Sequence, residues 1–135
     1  MPKNILADSS ALVALISRDD QYHQWIEAHL DSLSGPWLTC EAALSEAFHL
    51  LGSRGSLQLM TMLRRNALRP IFDLGDDLEP VLVLMEKYCN VPMSLADACF
   101  VRLSEILPDP MVVSTDADFR IYRRHSRQVV PCLLP

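Results

Sequence analysis

Glycine is scarce in this chain. Only four occur in 135 residues, and none lies in Asp8-Ser9-Ser10-Ala11-Leu12, the segment after the first apolar run. A glycine-rich turn that cradles a nucleotide phosphate at that point is therefore excluded. Long apolar runs are also missing, so no segment reads as a membrane span. The opening MPKNILADSS lacks the apolar stretch and small-residue cleavage site of a secretion signal, and a cytoplasmic location is expected. The four cysteines (Cys40, Cys89, Cys99 and Cys132) show no Cys-x-x-Cys spacing and stand in apolar surroundings. They read as buried free thiols rather than zinc ligands or disulfides, and none carries a nucleophile signature. The histidines (His23, His29, His49 and His125) form no metal-spaced set.

Lysine is nearly absent: ten of the 12 cationic residues are arginine. The net charge of −5 argues against a nucleic-acid partner, but the distribution matters more than the sum. Arg120, Arg123, Arg124 and Arg127 crowd RIYRRHSR, and Arg64, Arg65 and Arg69 crowd MLRRNALRP. A guanidinium binds phosphate through two parallel hydrogen bonds, so either group suits a phosphate backbone. A solvated helix face is the plainer account of each. Trp25 and Trp37 are candidates for base stacking, with core packing as the simpler alternative. The run LQLMTML (57–63) is either core or a homodimer face.

What is present is an apolar fraction of 50% and a charged fraction of 21%, enough for one folded domain over residues 1–135. Short apolar runs alternate with helical patterns. NILA (4–7) reads as a strand, Ser9–Ser17 as a helix, and Asp19 or Asp20 starts a second helix running to Leu30. Residues 37–39 form a short strand. Apolar residues at 44, 47, 48 and 51 predict a helix over 41–51. Gly52 to Gly55 break it, and Ser56 caps a further helix to Ala67. Residues 71–74 read as a third strand, and Asp76 or Asp77 caps a helix to Tyr88. Ser94 caps the helix LADACFVRLSEIL, 111–114 is a fourth strand, 116–125 a basic helix and 128–132 a last strand. This alternation predicts an α/β chain: a three-layer α/β/α domain around a central parallel sheet.

Four acids stand out against that frame: Asp8 at the end of the first strand, Glu46 near the apolar stripe of a helix, Asp97 at the start of another, and Asp116 after the fourth strand. Each Asp has an ordinary use as a helix cap, Asp97 within Ser94-Leu95-Ala96-Asp97 resembling a capping box. Glu46 would otherwise be a boundary residue reaching for water. Taken together they are more telling. Ligands of open α/β sheets bind outside the carboxyl ends of the strands, which is where Asp8 and Asp116 stand. Carboxylates forced together repel, so the group calls for a cation, and hard oxygen donors select Mg²⁺ or Mn²⁺. Ser9, Thr115 and Asp118 add polar groups at the same end.

The ordered segments LADSSALVAL, TCEAALSEAFHLL, SLADACFVRL and VVSTDADFRIYRR resemble the PIN-domain ribonuclease family, and most closely the VapC-like toxins of bacterial toxin–antitoxin pairs. The resemblance covers nearly the whole chain. Asp8, Glu46, Asp97 and Asp116 match the family's acids, and Thr115 and Asp118 match the flanks of its last motif. Glu41 lies at the helix start on another face, so Glu46 is preferred for the helical Glu. The resemblance implies Mg²⁺- or Mn²⁺-dependent endonucleolytic cleavage of RNA, with Asp8, Asp97 and Asp116 holding the ion and Glu46 supporting them. It also implies a cognate antitoxin protein, with a homodimer or a hetero-oligomer as the assembly. Arg120, Arg123, Arg124 and Arg127 would then meet RNA or the antitoxin. Three other readings remain: a PIN-like RNA-processing nuclease outside any toxin pair, a PIN-like module that binds protein without catalysis, and an enzyme acting on small phosphate esters. An aspartyl-phosphate hydrolase would want a second Asp two residues after Asp8, where Ser10 stands. The acids by themselves do not distinguish RNA from DNA.

Overall fold

The computed structural model describes residues 3–135. Five parallel strands form the central sheet: β1 (Asn4–Ala7), β2 (Trp37–Thr39), β3 (Leu68–Pro70), β4 (Pro110–Val113) and β7 (Cys132–Leu133). Their order across the sheet is β3-β2-β1-β4-β7. β1 and β4 are neighbours in register, Ala7 opposite Val113. Chain order reverses between these two strands, so the crevice at their carboxyl ends is the natural ligand site of the sheet.

Side chains alternate across the sheet, as the pleat requires. Ile5, Ala7, Trp37, Leu68 and Val113 face one core, which α1 (Ser9–Ile16), α2 (His23–His29) and α3 (Glu41–Arg64) help to fill. Leu6, Leu38 and Val112 face the other, covered by α4 (Leu78–Lys87) and α5 (Leu95–Ile106). The three-layer α/β/α arrangement is therefore the observed one. Helix α5 is the most enclosed. Every residue from Ala96 to Val101 is buried, so its first turns are enclosed in the core on that face of the sheet. No helix among the described residues is long and apolar enough to cross a membrane.

Several elements differ from the sequence expectation. The third strand is Leu68–Pro70, not 71–74. β3 lies at the sheet edge, where proline's missing N–H costs no ladder bond. The Ile71 amide makes a last bond to the Thr39 carbonyl of β2 at 3.1 Å, and Phe72 to Leu74 leave the sheet. The helix after Asp20 begins only at His23, because Asp20 Oδ1 accepts the Tyr22 amide in a turn. The chain does break at Gly52, but the break is confined to that residue: α3 is two helical segments joined by a kink there, and the second resumes before Gly55. Gly52 adopts φ 66°, ψ −166°, a region essentially reserved for glycine. Ser56 caps nothing; its hydroxyl donates to the Phe48 carbonyl. Asp77 occupies the N-cap position of α4 but pairs with Arg102 at 2.8 Å instead of capping.

The basic segment is not a helix over 116–125. A single 3-10 turn (Ala117–Arg120) leads into a hairpin of β5 (Arg123–Arg124) and β6 (Gln128–Val129). His125 and Ser126 turn it at φ 48° and 69°. The expected last strand, 128–132, is thus split between this hairpin and β7. Of the four thiols, Cys40 and Cys99 are buried and Cys132 half-buried, whereas Cys89 is exposed. Trp37 lies in the core, and Trp25 tilts against His29.

Candidate active site

Asp8 leaves the end of β1, and its own amide still pairs with the Val113 carbonyl of β4 at 3.1 Å. It caps α1 by accepting the Ser9 N–H at 2.8 Å on Oδ1. Its Oδ2 accepts from the Ser114 hydroxyl at 2.8 Å and from the Ser10 hydroxyl at 3.1 Å. Ser114 Oγ in turn accepts the Asp116 amide at 2.9 Å, and Ser10 Oγ accepts the Thr115 amide at 3.0 Å. Two serines therefore fasten the segment after β4 to the segment after β1. Sequence reasoning missed both. Neither is an acid, and their signal is only that each lies next to a motif residue.

Asp97 sits in the first turn of α5. Ser94 caps that helix by accepting the Asp97 amide at 3.1 Å, but the Asp97 carboxylate does not complete a capping box. It accepts the Tyr122 hydroxyl at 2.8 Å instead. Tyr122 is fully buried and packs edge-on against Phe119 and Tyr88. It is a third residue that the sequence did not mark. The turn following Asp116 carries it there, and Asp116 shapes that turn by accepting the Asp118 amide at 2.9 Å.

Glu46 is exposed rather than turned toward the core; Ala43 and Ala47 are the buried positions of that stretch of α3. It still joins the group, because the Ser9 hydroxyl donates to Glu46 Oε2 at 2.8 Å across 37 residues of chain. The structure thus gathers Asp8, Ser9, Glu46, Thr115 and Asp116 into one hydrogen-bonded set. Asp97 stands next to it, and Asp118 is tied to it through Asp116.

The electrostatics are those of a site short of positive charge. Asp8 and Asp97 are only 5% and 7% exposed. Burial pushes the Asp8 carboxyl up to about 6, with the Asp97 charge adding to the rise and the three hydrogen bonds opposing it. Burial likewise raises Asp97, helped by the charge of Asp116 and opposed by Tyr122 and Ser94. Burial and the Asp97 carboxylate raise the Tyr122 phenol, so it remains a donor. Among the described residues, no ion pair involves Asp8, Asp97 or Asp116. Nor do any three Asp, Glu, His or Cys side chains come together tightly enough to enclose a metal ion. The donor set is all carboxylate and hydroxyl oxygen, and its uncompensated negative charge suits a hydrated Mg²⁺ or Mn²⁺ held partly through water, not a closed cage.

The arginines divide. Arg123 turns inward and donates to the carbonyls of Arg120, Ile121 and Tyr122 at 2.8, 3.2 and 3.0 Å. Arg124 reaches His125, and its Nε is buried without a partner. Arg120 and Arg127 are exposed.

The PIN domain family model matches residues 5–124, and the chain belongs to that family. Among curated proteins, none matches significantly. Among solved structures the chain is similar to Mycobacterium tuberculosis VapC20, a toxin that cleaves the sarcin-ricin loop. The TM-score is 0.72 at 20% identity, over 85% of this chain and 92% of that one. At that identity the likeness speaks for the fold.

Proposed function

We propose that the chain is a Mg²⁺- or Mn²⁺-dependent endoribonuclease and the toxin of a toxin–antitoxin pair. The observation that carries this reading is the pair of buried carboxylates, Asp8 and Asp97, without an ion-pair partner among the described residues, at the β1–β4 crevice of a PIN domain. The structural likeness to a toxin that cleaves the sarcin-ricin loop adds support. Asp8, Asp97 and Asp116 would hold the ion, with Glu46 at the exposed rim. A bound divalent ion would supply an acidified water and offset charge on the leaving oxygen.

The chain's own groups do the rest. Ser10 and Ser114 hold the Asp8 carboxylate in place by donating to its Oδ2. Tyr122 favours the ionised form of Asp97 by donating to it, against the burial that raises this carboxyl. Ser9 anchors Glu46 over the first turn of α1. The exposed Arg120 and Arg127 would guide RNA phosphates, while Arg123 shapes the turn that positions Tyr122. A cognate antitoxin protein would cover the crevice and supply the missing positive charge.

The reading is tested by incubating the purified chain with total RNA in Mn²⁺, in Mg²⁺ and in EDTA, and mapping new 5′ ends. Metal-dependent cuts at defined positions that vanish in Asp116→Asn are the expected result. A wild type that binds Mn²⁺ yet leaves every RNA and DNA intact would favour a protein-binding module instead.

A further inference from the structure

Beside the acids lies a cavity of about 810 Å³, at the carboxyl ends of β2 and β3 between the first turns of α3 and α5. It adjoins the candidate centre through the chain itself: Ser45 lines it next to Glu46, and Leu95 lines it two residues before Asp97. Its apolar lining includes Ile71, Phe72, Leu74 and Leu95, of which Ile71 and Leu95 remain 37% and 38% exposed. The polar lining includes two carboxylates, Glu41 and Asp73, and among the described residues no Lys or Arg lines it. Asp73 spends Oδ1 on the Asp76 amide. Glu41 is exposed and forms no ion pair among the described residues.

This lining rejects a phosphate and accepts a flat, largely apolar group that donates hydrogen bonds. Its volume is that of a small-ligand site, large enough for one or two nucleotides. A single-stranded RNA splays out bases that proteins read on their Watson–Crick edges. Among the four bases, only guanine presents two adjacent N–H donors there, N1–H and N2–H, matching the two oxygens of a carboxylate. Adenine and cytosine place a bare ring nitrogen beside their amine, and uracil flanks its N–H with carbonyls. Each of those acceptors would repel Glu41. We propose, on the reading that the neighbouring acids cut RNA, that this cavity holds a guanine base close to the scissile phosphate, with Glu41 as the specificity-determining residue.

The test is equilibrium binding of fluorescein-labelled single-stranded oligouridylates carrying one central guanosine, inosine or adenosine. The full chain is used in EDTA, which suppresses cutting, and anisotropy is read. Inosine keeps N1–H and lacks only the 2-amine. The guanosine oligomer is expected to bind about tenfold more tightly than the inosine one, and Glu41→Gln to erase most of that difference. Equal affinities, or a preference that persists in Glu41→Gln, would overturn the assignment. Equal affinities with displacement by an arginine- and leucine-bearing peptide would give the cavity to a protein partner instead. Guanine preference in a chain that cuts no RNA would sustain the cavity's assignment and remove the nuclease reading. Cutting without guanine preference would do the reverse.

Discussion

Ser114 Oγ lies 2.8 Å from Asp8 Oδ2 and 2.9 Å from the Asp116 amide, so one buried hydroxyl donates to the first acid and accepts from the backbone of the last. A hydroxyl has a single hydrogen to give. With Ser114's hydrogen on Asp8, the Ser10 hydrogen is left to Asp8 Oδ2 or to Ser114 Oγ, each 3.1 Å away. Ser114→Ala removes the donor and orphans the partly buried Asp116 amide. The expected cost is about 1–3 kcal/mol of stability, read as a lowered denaturant midpoint with unchanged slope. An unaltered midpoint would mean that water replaces the hydroxyl and that the coupling is weak.

Asp8 makes stability depend on pH. An unperturbed Asp titrates near 3.8, while buried Asp8 holds its proton to about 6. Between those values the folded state keeps a proton that the unfolded state has released. Stability therefore falls as pH rises from about 4 to about 6 and levels off above. The shift corresponds to roughly 3 kcal/mol. Urea unfolding in EDTA at a series of pH values should show this slope for the wild type, and Asp8→Asn should flatten it. Mn²⁺ should stabilise more at neutral pH than at acid pH, because only the ionised carboxylate offers it a full charge.

Tyr122→Phe removes the hydroxyl that donates to Asp97. That bond lowers Asp97 against the rise caused by burial, so its loss raises Asp97 further. The expected outcome is an acid limb of the pH–rate profile moved to higher pH, with cleavage restored at alkaline pH. A uniform loss of rate at every pH would instead point to a displaced helix α5.

Gly52 holds the kink of α3 at φ 66°, ψ −166°. An alanine there meets open space, so the strain is purely of the backbone. Gly52→Ala should cost about 1–3 kcal/mol, measured by thermal or denaturant unfolding. It leaves Glu46 six residues upstream in its own helical turn, so cleavage at a permissive temperature should persist.

The parts of the fold written as periodic patterns were legible. Strands β1, β2 and β4 and helices α1, α4 and α5 lie close to where their apolar spacing places them, and the alternation dictates a parallel sheet covered on both faces. The failures have local causes. Ile71-Phe72-Asp73-Leu74 looks more strand-like than Leu68-Arg69-Pro70, but the edge of the sheet tolerates the proline and the apolar residues wall the cavity instead. The hairpin after Asp116 turns on His125 and Ser126 at positive φ, without the glycine or asparagine that signals such a turn. The acids were visible as a pattern. Ser10, Ser114 and Tyr122, which hold Asp8 and Asp97, were not, because a buried hydroxyl leaves no periodic trace. Glu46 has apolar neighbours, yet it faces out and is tied to the site by Ser9.

The central claim, that the acids act as one metal-dependent centre on RNA, is tested most directly by single-turnover cleavage of one mapped RNA in Mn²⁺. Wild type is compared with Asp97→Asn, Asp116→Asn and the double variant. Groups that act as a unit fail together, so each single substitution should lower the rate about 10²-fold or more, and the double variant should be little worse than either. Single variants that cut at the wild-type rate would contradict the account.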